Sequence, residues 1–303
     1  MHKTLVIYDE KYSGWILAGI AKDIYNYIDG PKKLVLFSGI HYRSYLKLFI
    51  FFLFASKIIF VNQSTLRRTR IPAFVLKTKN VLVFYSHTNY SMDNFTIKQL
   101  KCSNKIIVMN SGEQSKLGGL GINSSKIVLK PVGIDFDKFK PYNKNELNTI
   151  IMVSQLHSRK NPELILKVVR YLPNYRFILI GKNWDGSDYL HNLKQLKNFE
   201  YIKFDFETYV YNLNRGTIFL SLSLLEGGPI PILESMACGL VPVTTATGWA
   251  PDLIQDGING ILLPINCGPE SVKVALEKAL KIDKSKVRKS IESLTLDSFL
   301  SEF

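Results

Sequence analysis

The chain has 303 residues, 46% of them hydrophobic and 21% charged. That composition excludes a disordered protein and provides enough chain for two cores. Lys and Arg number 39 against 25 Asp and Glu, a formal charge of +14. Cys102, Cys238 and Cys267 form no Cys-x-x-Cys pair, which excludes a zinc ribbon or a disulfide framework and favours a reducing compartment.

Met1-His2-Lys3 leads into only five residues before Asp9, too few for the apolar core of a secretory signal. Strands are expected at Thr4–Tyr8, Leu34–Ser38, Lys57–Val61, Val81–Ser86 and Lys105–Met109. Six more are expected at Thr149–Val153, Tyr175–Ile180, Tyr201–Phe204, Thr217–Leu222, Val241–Thr244 and Gly260–Leu263. Stretches of helical length lie between them, such as Ile16–Ile28, Pro162–Leu172 and Ser271–Ile282. Strands that alternate with helices and lack polar alternation imply parallel sheets covered on both faces. Eleven strands exceed one ordinary sheet, so two doubly wound α/β domains are expected. The polar segment Pro141–Asn148 precedes a strong strand and reads as a linker. It sets the domains at residues 1–147 and 148–303, with the last helix free to pack back on the first domain.

The charge is one-sided. Residues 1–148 carry 22 Lys/Arg and 9 Asp/Glu, or +13, whereas residues 149–303 carry 17 and 16, or +1. Such asymmetry points to an anionic partner of the first half, with solvated surface lysines as the plainer reading. Within that half, Tyr45–Val61 reads YLKLFIFFLFASKIIFV, and its unbroken apolar run, Leu48–Ala55, is too short to span a membrane. A buried helix followed by a buried strand is expected. One stripe of that helix could face a lipid interface, beside Arg43, Lys47, Lys57, Arg67, Arg68 and Arg70.

The stretch after the strand Thr217–Leu222 carries the chemistry. Glu226-Gly227-Gly228-Pro229-Ile230-Pro231 suits a loop and the first turn of a helix, and Gly239 suits its stop. Ligands bind beyond the carboxyl ends of strands in open α/β sheets. Gly227 and Gly228 let backbone amides approach a ligand, the helix start favours phosphate, and carboxylates accept hydrogen bonds from sugar hydroxyls. Glu226 and Glu234 around this loop therefore suit a nucleotide-sugar.

The pattern Glu226-x7-Glu234, followed by Ser235-Met236-Ala237-Cys238-Gly239, resembles the signature of the retaining glycosyltransferases of family four. Val241-Pro242-Val243, Asp256–Leu263 and Pro131–Pro141 continue the resemblance, which covers most of residues 126–264 and is weak before residue 100. It implies the GT-B fold, in which two Rossmann-like doubly wound domains face each other across a cleft. It implies that Glu226 contacts the transferred sugar and Glu234 the nucleotide ribose, with Gly227, Gly228, Pro229 and Ile230 lining the donor. Lys160 fills the family's lysine position for the diphosphate, whereas Gln155 stands where the family has arginine. Either Arg159 reaches the phosphates instead, or the leaving group is less well stabilised. Gly14 resembles a glycine facing the donor, and His87 a histidine bordering the sugar. A tight turn and a structural role are the other readings of these two.

No metal and no other cofactor is expected. Asp135-Phe136-Asp137 has the spacing of a metal-binding pair but lies in the segment before the linker. The expected partners are a nucleotide-sugar donor, a glycan or lipid-linked acceptor of polysaccharide or lipopolysaccharide synthesis, and an anionic membrane surface. The expected location is the cytoplasmic side, peripheral on the inner face of the membrane. A GT-B nucleotide-sugar epimerase is the alternative. A basic nucleic-acid-binding protein ranks last, because Glu226 and Glu234 would repel phosphate.

Overall fold

The computed structural model describes residues 3–9, 16–39, 42–86, 92–142, 146 and 148–303. The chain forms two units, Met1–Pro131 with Asp297–Phe303, and Val132–Leu296. The first unit holds strands β1 (Thr4–Asp9), β2 (Lys32–Phe37), β3 (Lys57–Val61), β4 (Asn80–Tyr85), β5 (Lys105–Val108) and β6 (Ile127–Leu129). They pair in the order β2-β1-β3-β4-β5-β6. The second unit holds β7 (Thr149–Gln155), β8 (Arg176–Lys182), β9 (Phe199–Lys203), β10 (Ile218–Ser221), β11 (Val241–Thr245) and β12 (Ile261–Leu263), in the order β12-β11-β10-β7-β8-β9. Every pairing within the two sheets is parallel.

Continuous apolar strands are what a sheet covered on both faces requires. Leu5, Val6 and Ile7 of β1 are fully buried, as are Ile58, Ile59, Phe60 and Val61 of β3. The three-residue β6 was not among the expected strands. In the second sheet the order reverses at β7, which lies between β10 and β8. The carboxyl ends of β7 and β10 are therefore neighbours, and the loops leaving them meet at the switch point.

The division between units falls at Pro131, earlier than the polar linker suggested. Physical tethers explain it. The Ile134 amide donates to Leu294 O (2.9 Å), and a Cβ on Gly133 would lie 2.2 Å from Thr295 O. Arg288 donates to Phe139 O (2.7 Å) and Phe136 O (3.2 Å), and the Tyr142 amide donates to Asn214 Oδ1 (2.8 Å). Residues 132–142 thus belong to the second unit.

Asp297–Phe303 belongs to the first. Phe299 packs edge-on against Phe84 with ring centroids 5.7 Å apart. Lys105 pairs with Glu302 (2.6 Å), Lys130 Nζ donates to Ser298 Oγ (2.7 Å), and Lys57 Nζ donates to Phe303 O.

The apolar run near residue 50 forms the helix Tyr42–Phe54 followed by β3. Only Leu48 and Phe52 of the helix are buried, so the expectation of a buried helix is corrected: one stripe packs and the outward face does not. Among the described residues, no helix is long and apolar enough to cross a membrane.

Candidate functional site

The loop after β7 turns sharply. The His157 ring nitrogen accepts from the Arg159 amide (3.3 Å), Ser158–Lys160 forms one 3₁₀ turn, and Asn161 adopts φ +54°. Asparagine tolerates this left-handed region better than most residues. Its side chain caps the helix Pro162–Tyr171, whose first position is proline. The loop after β10 docks onto this turn, with the Leu224 amide donating to Arg159 O (2.7 Å).

Across that junction Arg159 Nη1 donates to Leu225 O (3.1 Å) and Glu226 Oε2 (2.7 Å), and Lys160 Nζ donates to Glu226 Oε1. Glu226 is 8% exposed. Burial alone would raise its carboxyl, but Lys160 and Arg159 outweigh it and hold it below the usual carboxylate range. Burial lowers the Lys160 ammonium against the opposing pull of Glu226, and the Arg159 charge adds to the lowering. The result is a nearly dry carboxylate held by two cations.

Two elements that sequence reasoning missed support this loop. Gly248, after β11, has φ +57°, and a Cβ there would lie 2.6 Å from Gly227 O and 3.0 Å from Glu226 Cβ. Thr245 Oγ1 donates to Ser223 O (2.5 Å). The signal was a glycine in the loop after a strand, but only the strand order shows that this strand neighbours β10.

Glu234 lies in a different environment. It sits one turn into the helix Ile230–Ala237, whose first turn has no side-chain cap. The Tyr209 hydroxyl donates to Glu234 Oε2 (2.5 Å). Burial pushes the Glu234 carboxyl up to about 7, against the opposing effects of Tyr209 and Lys138. Burial and the Glu234 charge raise Tyr209 well above its ordinary value. Tyr209, also missed, packs against Phe204 and Phe139, with centroids 5.0 and 6.2 Å away.

Pro229 and Ile230 are buried, and Gly228 is partly exposed. Gln155 ends β7 in register with Lys182 of β8. Among the described residues, no hydrogen bond joins its side chain to Glu226; Arg159 makes that contact instead. The Lys182 ammonium lies over the Phe204 ring at 4.5 Å from the centroid. Gly14 and His87 lie outside the described residues.

Two six-stranded parallel sheets, each flanked by helices, define a two-domain Rossmann-like α/β protein of the GT-B class. Solved structures agree across the whole chain. HepE of Anabaena in complex with UDP and glucose superposes with a TM-score of 0.78 at 13% identity, covering 100% of this chain and 98% of that one. The lipopolysaccharide outer core galactosyltransferase WaaB gives 0.73 at 13% identity, with the same coverage. At such identity the likeness establishes the fold alone.

Residues 133–293 match the family Glycosyl transferases group 1, which is more than half of the chain, and the chain belongs to that family. A phosphatidylinositol N-acetylglucosaminyltransferase subunit of Arabidopsis thaliana is 29% identical over 196 residues, covering 58% of this chain and 41% of the relative. An Escherichia coli relative, UDP-Gal:alpha-D-GlcNAc-diphosphoundecaprenol alpha-1,3-galactosyltransferase, is 24% identical over 188 residues, covering 55% and 49%. The matches thus span about half the length of these curated relatives.

Proposed function

We propose that this chain transfers a sugar from a nucleoside-diphosphate donor to a glycan or lipid-linked acceptor, with retention at the anomeric carbon and without a metal. The observation that carries the reading is Glu226, buried on Arg159 and Lys160 where the loops after β7 and β10 meet. Two cations at a sheet's switch point suit a diphosphate, and the carboxylate between them suits sugar hydroxyls. Glu234 takes the ribose hydroxyls. The names of the two curated relatives, one with phosphatidylinositol and one with diphosphoundecaprenol, support a lipid-borne acceptor; the reaction proposed is a step of surface-glycan synthesis on the inner face of the membrane.

In this mechanism the diphosphate takes up Lys160 and Arg159, and Glu226 turns to the sugar. As the bond from the anomeric carbon to the phosphate oxygen breaks, negative charge grows on the diphosphate and the two cations stabilise it. The acceptor hydroxyl attacks the anomeric carbon from the face the diphosphate leaves, and its proton passes to a departing phosphate oxygen. No side-chain nucleophile takes part.

A thermal-shift panel of UDP, GDP, ADP and CMP identifies the donor class, because a ligand of the folded state raises its apparent stability. Transfer from the matching nucleotide-sugar should need added acceptor and should persist in EDTA. Isomerisation of the donor without acceptor would replace transfer by epimerisation, and loss of transfer in EDTA that zinc or magnesium restores would end the metal-free reading.

A further inference from the structure

The helix Tyr42–Phe54 carries a second apolar stripe on the face turned away from its core contacts. Leu48 and Phe52 pack inward. Tyr42, Leu46, Phe49, Ile50 and Leu53 are exposed, Phe49 at 60% and Leu46 and Leu53 at 56% each. At 3.6 residues per turn these five fall within an arc of roughly 100°, opposite Leu48. A helix on a water-facing surface would place its charges there. Here Arg43 and Lys47 border one side of the arc, together with exposed Phe54. In the same unit the short helix Ala73–Leu76 exposes Phe74 at 73%, followed by exposed Lys77.

The helix is held firmly in this orientation. The Tyr45 hydroxyl donates to Arg68 O (3.2 Å), and its ring meets Phe37 edge-on at 5.1 Å. Lys79 Nζ donates to Leu53 O (3.3 Å) at the helix carboxyl end. The surrounding sequence has one sign of charge: residues 30–92 include ten Lys and Arg and no Asp or Glu.

We propose that this outward face lies in the interfacial layer of an anionic membrane, with Leu46, Phe49, Ile50 and Leu53 among the acyl chains and Arg43 and Lys47 at the headgroups. The proposal rests on the reading of the basic half as the partner of an anionic membrane, and adds to charge attraction a specific apolar contact. A second copy of the chain fits the face poorly, because it would set Arg43 and Lys47 beside the same cations of its own copy, while the nearby acid Asp9 is already paired with Arg68. A bilayer offers negative headgroups and an apolar layer at adjacent depths. Thirteen helical residues reach about 20 Å, short of the roughly 30 Å hydrocarbon core, so the helix lies in the plane of the interface.

The test is co-sedimentation of the full chain with phosphatidylcholine vesicles and with mixed phosphatidylcholine–phosphatidylglycerol vesicles, at low and high salt. The wild type should pellet with the anionic vesicles. The exposed triple variant Leu46→Ser/Phe49→Ser/Leu53→Ser should bind roughly tenfold or more weakly with its charge unchanged. A Phe49→Trp variant should show a blue-shifted emission on binding. A far-ultraviolet circular dichroism spectrum and a first-unit melting step like those of the wild type verify that each variant is folded. A triple variant that binds like the wild type overturns the apolar contact and leaves the charge reading standing. A wild type that ignores anionic vesicles at low salt overturns both. A wild type that self-associates without lipid, through a contact the triple variant loses, assigns the face to a second copy.

Discussion

Replacing Glu226 by Gln leaves Lys160 and Arg159 without the anion that holds them, and a buried charge without its partner is costly. The variant should lose about 3 kcal/mol of stability, read by calorimetry. Added nucleoside diphosphate should restore more stability than it adds to the wild type, because phosphate then occupies the vacated place between the cations. An equal response in both proteins would remove Arg159 and Lys160 from the phosphate site. Glu234 gives a pH prediction of opposite character. Its carboxyl is pushed up to about 7, so the folded chain holds this proton more tightly than the unfolded chain. The stabilisation from that proton is complete below the unfolded value near 4.5 and is lost as pH rises through about 7. Donor affinity should run the other way. Ribose hydroxyls donate to an ionised carboxylate, so affinity should increase between about pH 6 and about pH 8. Glu234→Gln should flatten that increase in titration calorimetry; a profile unchanged by the substitution would place another group on the ribose.

Elements differ in how plainly the sequence announces them. The segment Glu226–Gly239 was legible because its loop, helix start and helix stop are all local features, and the helix Ile230–Ala237 ends within two residues of Gly239. Of that segment's partners, Arg159 and Lys160 were named from the sequence only as candidates for the phosphates, and Gly248 and Tyr209 were not legible. Arg159, Gly248 and Tyr209 come from after β7, after β11 and from the short helix Tyr209–Leu213. Only the order of strands in the sheet brings those ends together. The Gln155 position shows the same limit. Spacing alone left open which cation meets the leaving group, and the turn at Asn161 directs Arg159 toward Glu226. The boundary was misplaced because the tethers on residues 132–142 come from Asn214, Arg288 and Leu294, far along the chain. Likewise Arg68, a surface charge by sequence, is ion-paired with buried Asp9. Gly248 tests the loop support directly. Gly248→Ala combines a positive φ with a Cβ too close to Gly227 O. It should cost about 1–3 kcal/mol in urea unfolding and weaken donor binding with it. Unchanged stability and affinity would mean that the loops can move apart freely.

Across the whole molecule the two halves differ in charge but share an architecture, and one segment ties the end of the sequence to its beginning. Phe299 is 1% exposed and packs on Phe84 and Phe303. Phe299→Ala should cost about 3–5 kcal/mol, as large-to-small core changes do. The loss should appear as an earlier melting step of the first unit, while the second keeps its nucleotide-induced stabilisation. A single unshifted transition would mean that the segment contributes little. The same segment dictates an order of assembly. Synthesis proceeds from the amino end, and domains fold as units once their residues have emerged. Val132–Leu296 is continuous, whereas the first unit needs Asp297–Phe303 to cover Phe84 and to meet Lys57, Lys105 and Lys130. The unit made first is therefore the unit finished last. On the ribosome its sheet waits with one flank open while the later-made unit closes, until Asp297–Phe303 has followed that unit out.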